Sequence, residues 1–292
     1  MLNAVLPGAD NARTGILLML IGMFLFTCND VLGKYLVSHF AVGQVVLVRS
    51  LAALAILAPI AFQGGIRPVI DVPRPGLHAL RSLLMAIEGF SFYAAIAYLP
   101  LADTVTYWLA APIYVAALAA LFLGERVDWR GWAAILAGFL GVVIALNPSQ
   151  ASFTGPALIA LTGSLCFSVS MVIGRKLRTT PDPTMMVWQM GAAAVSGALA
   201  LWLLPAPWQA MSLSQIAQLC LLGVVALAAH VMTNRSLKHA PAAVVMPFQY
   251  SLLPWAVLFG AIFFADIPTV PMLSGAALII TAGLYIALRK TV

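Results

Sequence analysis

Ten stretches of this chain, each about 17 to 24 residues long, are apolar enough to cross a lipid bilayer. Little sequence separates one stretch from the next, so almost none of the chain is left for a water-soluble domain. The composition agrees, because 63% of the 292 residues are hydrophobic and only 8% are charged. Lipid is therefore the main solvent that the sequence predicts.

The length of these stretches predicts helices. Backbone polar groups in hydrocarbon must be satisfied internally, and a barrel strand needs only about 9 to 11 residues. The predicted fold class is an all-α membrane protein with ten transmembrane helices. The predicted spans run about 14–37, 42–62, 76–98, 101–123, 129–147, 155–176, 183–204, 215–237, 241–264 and 271–288.

Positive charges indicate how the chain lies in the membrane, because Lys and Arg accumulate in short cytoplasmic loops. Thirteen of the fifteen basic residues fall on one side of the predicted spans. Both termini are therefore predicted to be cytoplasmic, and the net charge of +6 needs no nucleic-acid partner. The thirteen residues are Arg13, Arg67, Arg74, Arg81, Arg126, Arg130, Arg175, Lys176, Arg178, Arg235, Lys238, Arg289 and Lys290.

The chain also repeats itself at a distance of about 141 residues. Each half then holds five spans, and this odd number makes the second half enter the membrane in the opposite sense. We predict two inverted five-helix repeats, residues 1–149 and 150–292, an architecture typical of secondary transporters with alternating access. The offset aligns Pro100 with Pro241, Phe26 with Phe167, Glu125 with Asp266, and Gly33-Lys34 with Gly174-Arg175.

A signature in the first half resembles that of a known family. The run Leu123-Gly124-Glu125-Arg126 is followed by Gly131 and by a helix with Gly138 and Gly141. This pattern is similar to the segment that joins the fourth and fifth helices of EamA-type carriers in the drug/metabolite transporter superfamily. Arg49 in the second span, the five-plus-five topology and the charge bias match as well, so the resemblance covers nearly the whole chain.

The second half departs from the family pattern. Asp266 stands where the family has a Gly-Glu pair, and no arginine matches Arg49. Within the family, the chain is most similar to bacterial exporters of aromatic amino acids. The resemblance implies a multi-pass carrier of the bacterial inner membrane that exports small amphipathic metabolites, amino acids in particular, without a cofactor.

Several ionisable side chains fall inside spans of the first half, where hydrocarbon disfavours a charge by roughly 2.5–3.5 kcal/mol. Asp30 and Lys34 lie four residues apart on one face of the first span, and Arg49 enters the second span to about the depth of Asp30. Arg81 lies two turns before Glu88 on the third span and is long enough to reach the cytoplasmic surface. The predicted gating or ion-pair residues are Asp30, Lys34, Arg49 and Arg81.

Glu88 is the strongest candidate for a functional carboxylate, because near the midplane it can bind a substrate ammonium or carry a proton. Aromatic and amide side chains inside spans either pack or offer an amphipathic solute a ring surface and a hydrogen-bond partner. Trp108 and Gln249 also coincide under the repeat offset. The predicted substrate-binding residues are Glu88, Tyr93, Tyr107, Trp108, Trp188, His230, Asn234, Gln249 and Tyr250.

Three prolines inside spans remove backbone hydrogen bonds and are predicted either to act as hinges or to form static kinks. Pro112 lies in the fourth span, and Pro247 and Pro254 lie in the ninth.

Motifs of other function classes do not occur in the sequence. It has no HExxH or GxSxG motif, and its four histidines and three cysteines lack metal-ligand or CxxC spacing. We therefore predict neither an enzyme nor a metal site. The alternative function is a broad-specificity efflux carrier for drugs or organic cations, coupled to protons, in which Glu88 and the aromatic side chains bind positive charge.

Overall fold

A computed structural model describes residues 9–122, 129–146, 154–177, 179–204, 208–240 and 245–289. Within these ranges the regular structure is helical and no β-strand occurs. The helices in chain order are α1 (Ala9–Val37), α2 (Val42–Ala61), α3 (Arg67–Ile70), α4 (Pro75–Ile96), α5 (Leu101–Leu109), α6 (Ala111–Phe122), α7 (Trp129–Leu146), α8 (Gly155–Lys176), α9 (Asp182–Leu203), α10 (Leu213–His239), a 3₁₀ helix (Met246–Ser251), α11 (Leu252–Phe264) and α12 (Val270–Arg289).

Most predicted spans coincide with single helices to within a few residues, α1 beginning earlier than expected. Six of the described helices, namely α1, α2, α4, α8, α9 and α10, are long and apolar enough to cross a membrane. The count of ten spans and the side of the termini stay predictions. The Leu123-Gly124-Glu125-Arg126 run lies outside the described residues.

Two predicted spans are broken. The span over 101–123 divides into α5 and α6 at Ala110, and the described part of the span over 241–264 divides into the 3₁₀ helix and α11. Pro112, Pro247 and Pro254 each lie in the first turn of a segment, where a missing N–H leaves no helical hydrogen bond unmade. The prolines thus mark where segments begin, and their role as hinges stays a prediction.

The helices pack in matched pairs. α1 packs along α10 and α8 along α4, while α2 packs along α9 and α7 along α12. Under the 141-residue offset α1 corresponds to α8 and α4 to α10. The α1–α10 contact is therefore equivalent to the α8–α4 contact, and the α2–α9 and α7–α12 contacts each join a helix to its own counterpart. This pattern is expected for two halves related by a two-fold axis.

Large apolar side chains cover the outside of this bundle. Each of the following exposes more than half of its surface: Leu17, Leu51, Leu83, Leu136 and Val195. Such a surface is unfavourable in water and is suited to contact with lipid acyl chains. The apolar outer surface thus agrees with the lipid environment that the sequence predicts.

The contact between α2 and α10 requires a glycine at position 223. A Cβ atom on Gly223 would overlap the backbone carbonyl of Arg49, which cannot rotate away. We expect Gly223→Ala to lower the free energy of unfolding by about 1–3 kcal/mol, the usual effect of overpacking. The measurement is the melting temperature of the detergent-solubilised protein, which should be lower for Gly223→Ala than for the unmodified protein.

Gly191 on α9 provides the matched control, because a Cβ atom there meets nothing within 4 Å. Gly191→Ala should melt at or slightly above the temperature of the unmodified protein, since alanine favours a helix over glycine. Equal melting temperatures for the two variants would contradict the close contact.

Candidate functional site

A cavity lies at the centre of the bundle, where helices of both predicted halves meet. Its free volume of about 80 Å³ is well below the roughly 300–1,000 Å³ of ordinary ligand pockets. A metabolite could bind here only if the helices moved apart. The lining residues are Met23, Phe26, Asn29, Asp30, Arg49, Glu88, Gly89, Phe92, Tyr93, Trp108, Leu109, Phe167, His230, Gln249 and Leu252.

Arg49 and Tyr93 form the best-connected polar contact of the cavity. The Nη1 atom of Arg49 donates a hydrogen bond to the Tyr93 hydroxyl at 3.2 Å, and the guanidinium carbon lies 4.6 Å from the ring centroid. The Nδ2 atom of Asn29 also donates to this hydroxyl, at 3.0 Å. The cation–π contact and these hydrogen bonds fix the guanidinium beside the cavity.

The cavity contains two carboxylates, each held by a neutral donor. Asp30 accepts a hydrogen bond from Asn29 Nδ2 at 3.1 Å, and Glu88 accepts one from Trp108 Nε1 at 2.9 Å. No basic nitrogen of the described residues lies within 4 Å of either carboxylate. Arg49 and Asp30, predicted to lie at about the same depth, therefore form no ion pair, and Asn29 and Tyr93 connect the two side chains instead.

Charge and aromatic surface lie together around the cavity. One guanidinium and two carboxylates line it, so it can hold both a negative and a positive group of one solute. Phe92 contacts Trp108 edge to face with ring centroids 4.9 Å apart, and Phe26 contacts His230 in the same way at 4.9 Å. Phe26 also aligns with Phe167 under the repeat offset, and both line the cavity.

Five of the predicted substrate-binding residues line this cavity, and they come from four elements of the fold. Glu88 and Tyr93 project from α4, Trp108 from α5, His230 from α10, and Gln249 from the 3₁₀ helix.

The other four predicted substrate-binding residues are not among the lining residues. The Nε1 atom of Trp188 donates to the carbonyl oxygen of Val69 at 2.8 Å, which fixes it against α3. Tyr107 is buried in the apolar core. The hydroxyl of Tyr250 and the amide nitrogen of Asn234 are buried, and neither has a hydrogen-bond partner in the part of the chain that the structure describes.

Lys34 does not pair with Asp30, its neighbour on the same face of α1. Its Nζ atom lies 2.6 Å from Oδ2 of Asp266, in the loop between α11 and α12, and 3.3 Å from the carbonyl oxygen of Leu99. Oδ2 of Asp266 also accepts the backbone N–H of Leu101, the first residue of α5, at 3.1 Å. This cluster joins the two halves at the end where α1 ends and α5 begins. We call this end the outer end, because the charge bias predicts that it faces outwards.

Breaking this ion pair should open the outer end. Asp266→Asn removes the negative charge but keeps an oxygen that can accept the Leu101 N–H. Ala102, the residue that follows Leu101, is 2% exposed. In a background without the three native cysteines, we expect Ala102→Cys to react at least about threefold faster with a membrane-impermeant maleimide when Asp266→Asn is present, since 0.7 kcal/mol corresponds to about that factor.

The opposite end provides the control. Asp182 there binds Lys238 at 2.5 Å and Arg235 at 3.4 Å. Asp182→Asn removes a comparable charge and should leave the labelling rate at position 102 unchanged. Equal rates for Asp266→Asn and the unmodified aspartate would show that the Lys34–Asp266 pair does not close the outer end.

Arg81 does not reach the surface. It is 2% exposed, and its Nη1 atom donates to Oε1 of Gln189 on α9 at 3.2 Å. It lies near the beginning of α4, at the end that we call the inner end, opposite to the outer end.

Sequence reasoning missed several residues that line the cavity, and Asn29 and Phe92 are the two that contact the predicted site residues most directly. Asn29 holds both Tyr93 and Asp30, and Phe92 packs on Trp108. An amide beside a carboxylate in an otherwise apolar span was a usable signal for Asn29, because polar side chains in hydrocarbon need partners. Phe92 gave no such signal, since one phenylalanine in an apolar span resembles any other.

Comparison with known families gives a match over both halves. The sequence model of the EamA-like transporter family matches residues 13–147 and again residues 155–288. The predicted relation to EamA-type carriers is thus confirmed at the level of the family.

Relatives over most of the chain are bacterial transporters. An S-adenosylmethionine uptake transporter of Rickettsia felis is 25% identical over 94% of this chain and 92% of its own length. A riboflavin transporter of Rhizobium johnstonii is 32% identical over 73% of this chain and 70% of its own. The pseudopaline exporter of Pseudomonas aeruginosa is 26% identical over 97% of this chain and 98% of its own.

A solved crystal structure supports the fold. It superposes with a TM-score of 0.67 at 17% identity and covers 96% of this chain and 99% of its own. The proteins found in these sequence comparisons are transporters of small molecules rather than enzymes. None of the three relatives named above is an exporter of aromatic amino acids, so this finer resemblance stays a prediction.

Proposed function

Because this chain belongs to the EamA-like transporter family and is a small-molecule transporter of the bacterial membrane, we propose that its substrates are small amphipathic metabolites, most of all amino acids. We further propose that the central cavity binds them, that transport proceeds by alternating access between two inverted repeats, and that its physiological direction is export. The relatives named above include both an uptake transporter and an exporter.

The observation that carries this proposal is the charge distribution around the cavity. Arg49 exposes only 7% of its surface and has no carboxylate partner among the described residues. A substrate carboxylate would supply that partner, and Glu88 or Asp30 would receive the substrate ammonium. Phe26, Phe92 and Trp108 then face an aromatic or aliphatic side chain.

Solute flux into proteoliposomes tests the proposal. The purified protein should move labelled aromatic and aliphatic amino acids saturably, and the flux should persist without a pH gradient. Absence of amino-acid movement in vesicles that contain folded protein would overturn it. Export is tested separately by comparing efflux of an accumulated amino acid from cells with and without the transporter.

One observation favours the alternative, a proton-coupled carrier of drugs or organic cations. The cavity has two carboxylates for one guanidinium, so a single cation or proton would balance its charge. In the same vesicles, a lipophilic cation that moves only with a pH gradient, while amino acids do not move, would favour this alternative.

A further inference from the structure

Arg81 is a buried cation that the central cavity does not use. Its guanidinium donates a hydrogen bond to Gln189, and its Nε atom has no partner among the described residues. The Nε atom faces the backbone of α8, because a Cβ atom on Gly174 would lie 3.4 Å from it. Arg81 therefore lies where α4 of the first half meets α8 and α9 of the second.

Three other basic side chains have carboxylate partners, whereas Arg49 of the central cavity has none among the described residues. Lys34 binds Asp266, and Lys238 and Arg235 bind Asp182. Among the described residues no carboxylate lies within 4 Å of Arg81. A buried guanidinium with an unpaired donor and no carboxylate beside it is unfavourable unless an anion joins it at some stage of the transport cycle.

The repeat indicates that packing alone does not require an arginine here. Under the 141-residue offset Arg81 aligns with Leu222 of α10, which is fully buried at 0% exposure. The equivalent position in the other half is thus filled by an apolar side chain. The charge at position 81 has a reason other than filling the interface.

Arg81 and Arg49 lie at similar depths from opposite ends. Arg81 is six residues from the start of α4 at the inner end, about 9 Å along the helix, and Arg49 is seven residues from the start of α2 at the outer end. Tyr93, which contacts Arg49, lies about 18 Å beyond Arg81 along α4. Glu88 lies between them.

We propose that Arg81 is a second carboxylate-binding residue of the transport path, which binds the substrate carboxylate at the inner end when α4 separates from α8 and α9. Arg49 binds the same group at the central cavity, so the carboxylate passes from one guanidinium to the other. This inference rests on the proposed function, because it requires a substrate with a carboxylate.

The test compares phenylalanine flux from each face of proteoliposomes. Arg81→Leu, which introduces the residue type of the equivalent position, should raise the half-saturation concentration at the inner face at least tenfold and at the outer face less than threefold. Arg81→Lys should stay within about threefold of the unmodified protein at both faces. Phenylalaninamide, which lacks the carboxylate, should inhibit Arg81→Leu from the inner face as strongly as it inhibits the unmodified protein.

Arg235→Leu is the matched control, because it removes a positive charge at the same end from a side chain that is 54% exposed. It should leave the half-saturation concentration unchanged at both the inner and the outer face. This result would show that the effect of Arg81→Leu is not a general loss of attraction of anions to the inner surface. Arg81→Gln replaces Arg81→Leu if the leucine variant is not monodisperse in detergent.

Different outcomes overturn different statements. If the unmodified protein moves no amino acid, the proposed function fails and this inference fails with it. If the unmodified protein moves phenylalanine and Arg81→Leu is unchanged at both faces, the inference alone fails. It also fails if both faces, or phenylalanine and its amide, are affected equally, because Arg81 would then only stabilise the helix interface.

Discussion

Replacing Arg49 by methionine should reduce amino-acid transport by about 100-fold. The guanidinium is proposed to bind the substrate carboxylate in a buried site, where a hydrogen bond to a charged group contributes about 1.5–3 kcal/mol, and 1.4 kcal/mol corresponds to a factor of ten. Methionine is unbranched and flexible, like the aliphatic part of arginine, and has no charge. The measurement is the ratio of maximal rate to half-saturation concentration for phenylalanine in proteoliposomes.

Two further variants separate binding from packing. Tyr93→Phe removes the hydroxyl that accepts from Arg49 Nη1 and from Asn29 Nδ2 but keeps the ring beneath the guanidinium. It should reduce transport by about three- to tenfold, because the guanidinium itself loses one hydrogen bond. Arg49→Lys keeps the charge without the planar group and should fall between Arg49→Met and the unmodified protein. If Arg49→Met transported phenylalanine normally, the carboxylate would have to bind elsewhere.

Replacing Glu88 by glutamine should reduce amino-acid transport by about 30-fold. The substitution removes the negative charge that pairs with the substrate ammonium, while Oε1 of the amide can still accept the Trp108 indole N–H. The loss therefore reports the charge and not the position of Trp108. The same variant should lose transport of any organic cation that the carrier moves, because both solutes present a positive group.

Trp108→Phe is the complementary variant. It keeps the charge of Glu88 and most of the ring that packs on Phe92, and it removes only the indole donor. A reduction of about three- to tenfold is expected, because the lost hydrogen bond positions Glu88 and does not itself bind the substrate, so only part of its about 1.5–3 kcal/mol affects transport. If Trp108→Phe proved more harmful than Glu88→Gln, the position of the carboxylate would matter more than its charge, and the assignment of Glu88 to the ammonium would be wrong.

The dimensions of the cavity bear on how transport proceeds. Its free volume of about 80 Å³ is well below that of ordinary ligand pockets, so an amino acid needs the surrounding helices to separate. The Lys34–Asp266 pair joins the halves at the outer end, and the contacts of Arg81 join them at the inner end. Alternating access would then break one of these connections at a time.

Membrane insertion and helix bounds could be predicted from the sequence because both depend on local properties. The apolar side chains of a run determine its preference for lipid, and in hydrocarbon each span must make its own backbone hydrogen bonds. The ends of α2 and α8 were therefore predicted to within one residue. The breaks at Ala110 and before Leu252 were not anticipated as breaks, since a proline inside an apolar run predicts a kink or a new start equally well.

The composition of the site could be predicted only in part. Tyr107 and Trp108 are adjacent in α5 and looked equivalent in the sequence, yet only Trp108 lines the cavity. Successive residues on a helix point about 100° apart, so the rotation of α5 about its axis decides which of them faces inwards. That rotation is set by the packing of α5 against its neighbours, and the local sequence contains little information about this packing.

The sequence by itself determined that this chain is a helical membrane protein with an internal repeat signal, and which of its polar side chains lie within hydrocarbon. Only the tertiary structure decided their partners. Lys34 binds Asp266, which is 232 residues away, and not Asp30 on its own helix face, while Arg49 binds Tyr93 and Arg81 binds Gln189. The physical reason is that a charge in lipid must find a partner, but the nearest suitable group belongs to whichever helix packing brings alongside.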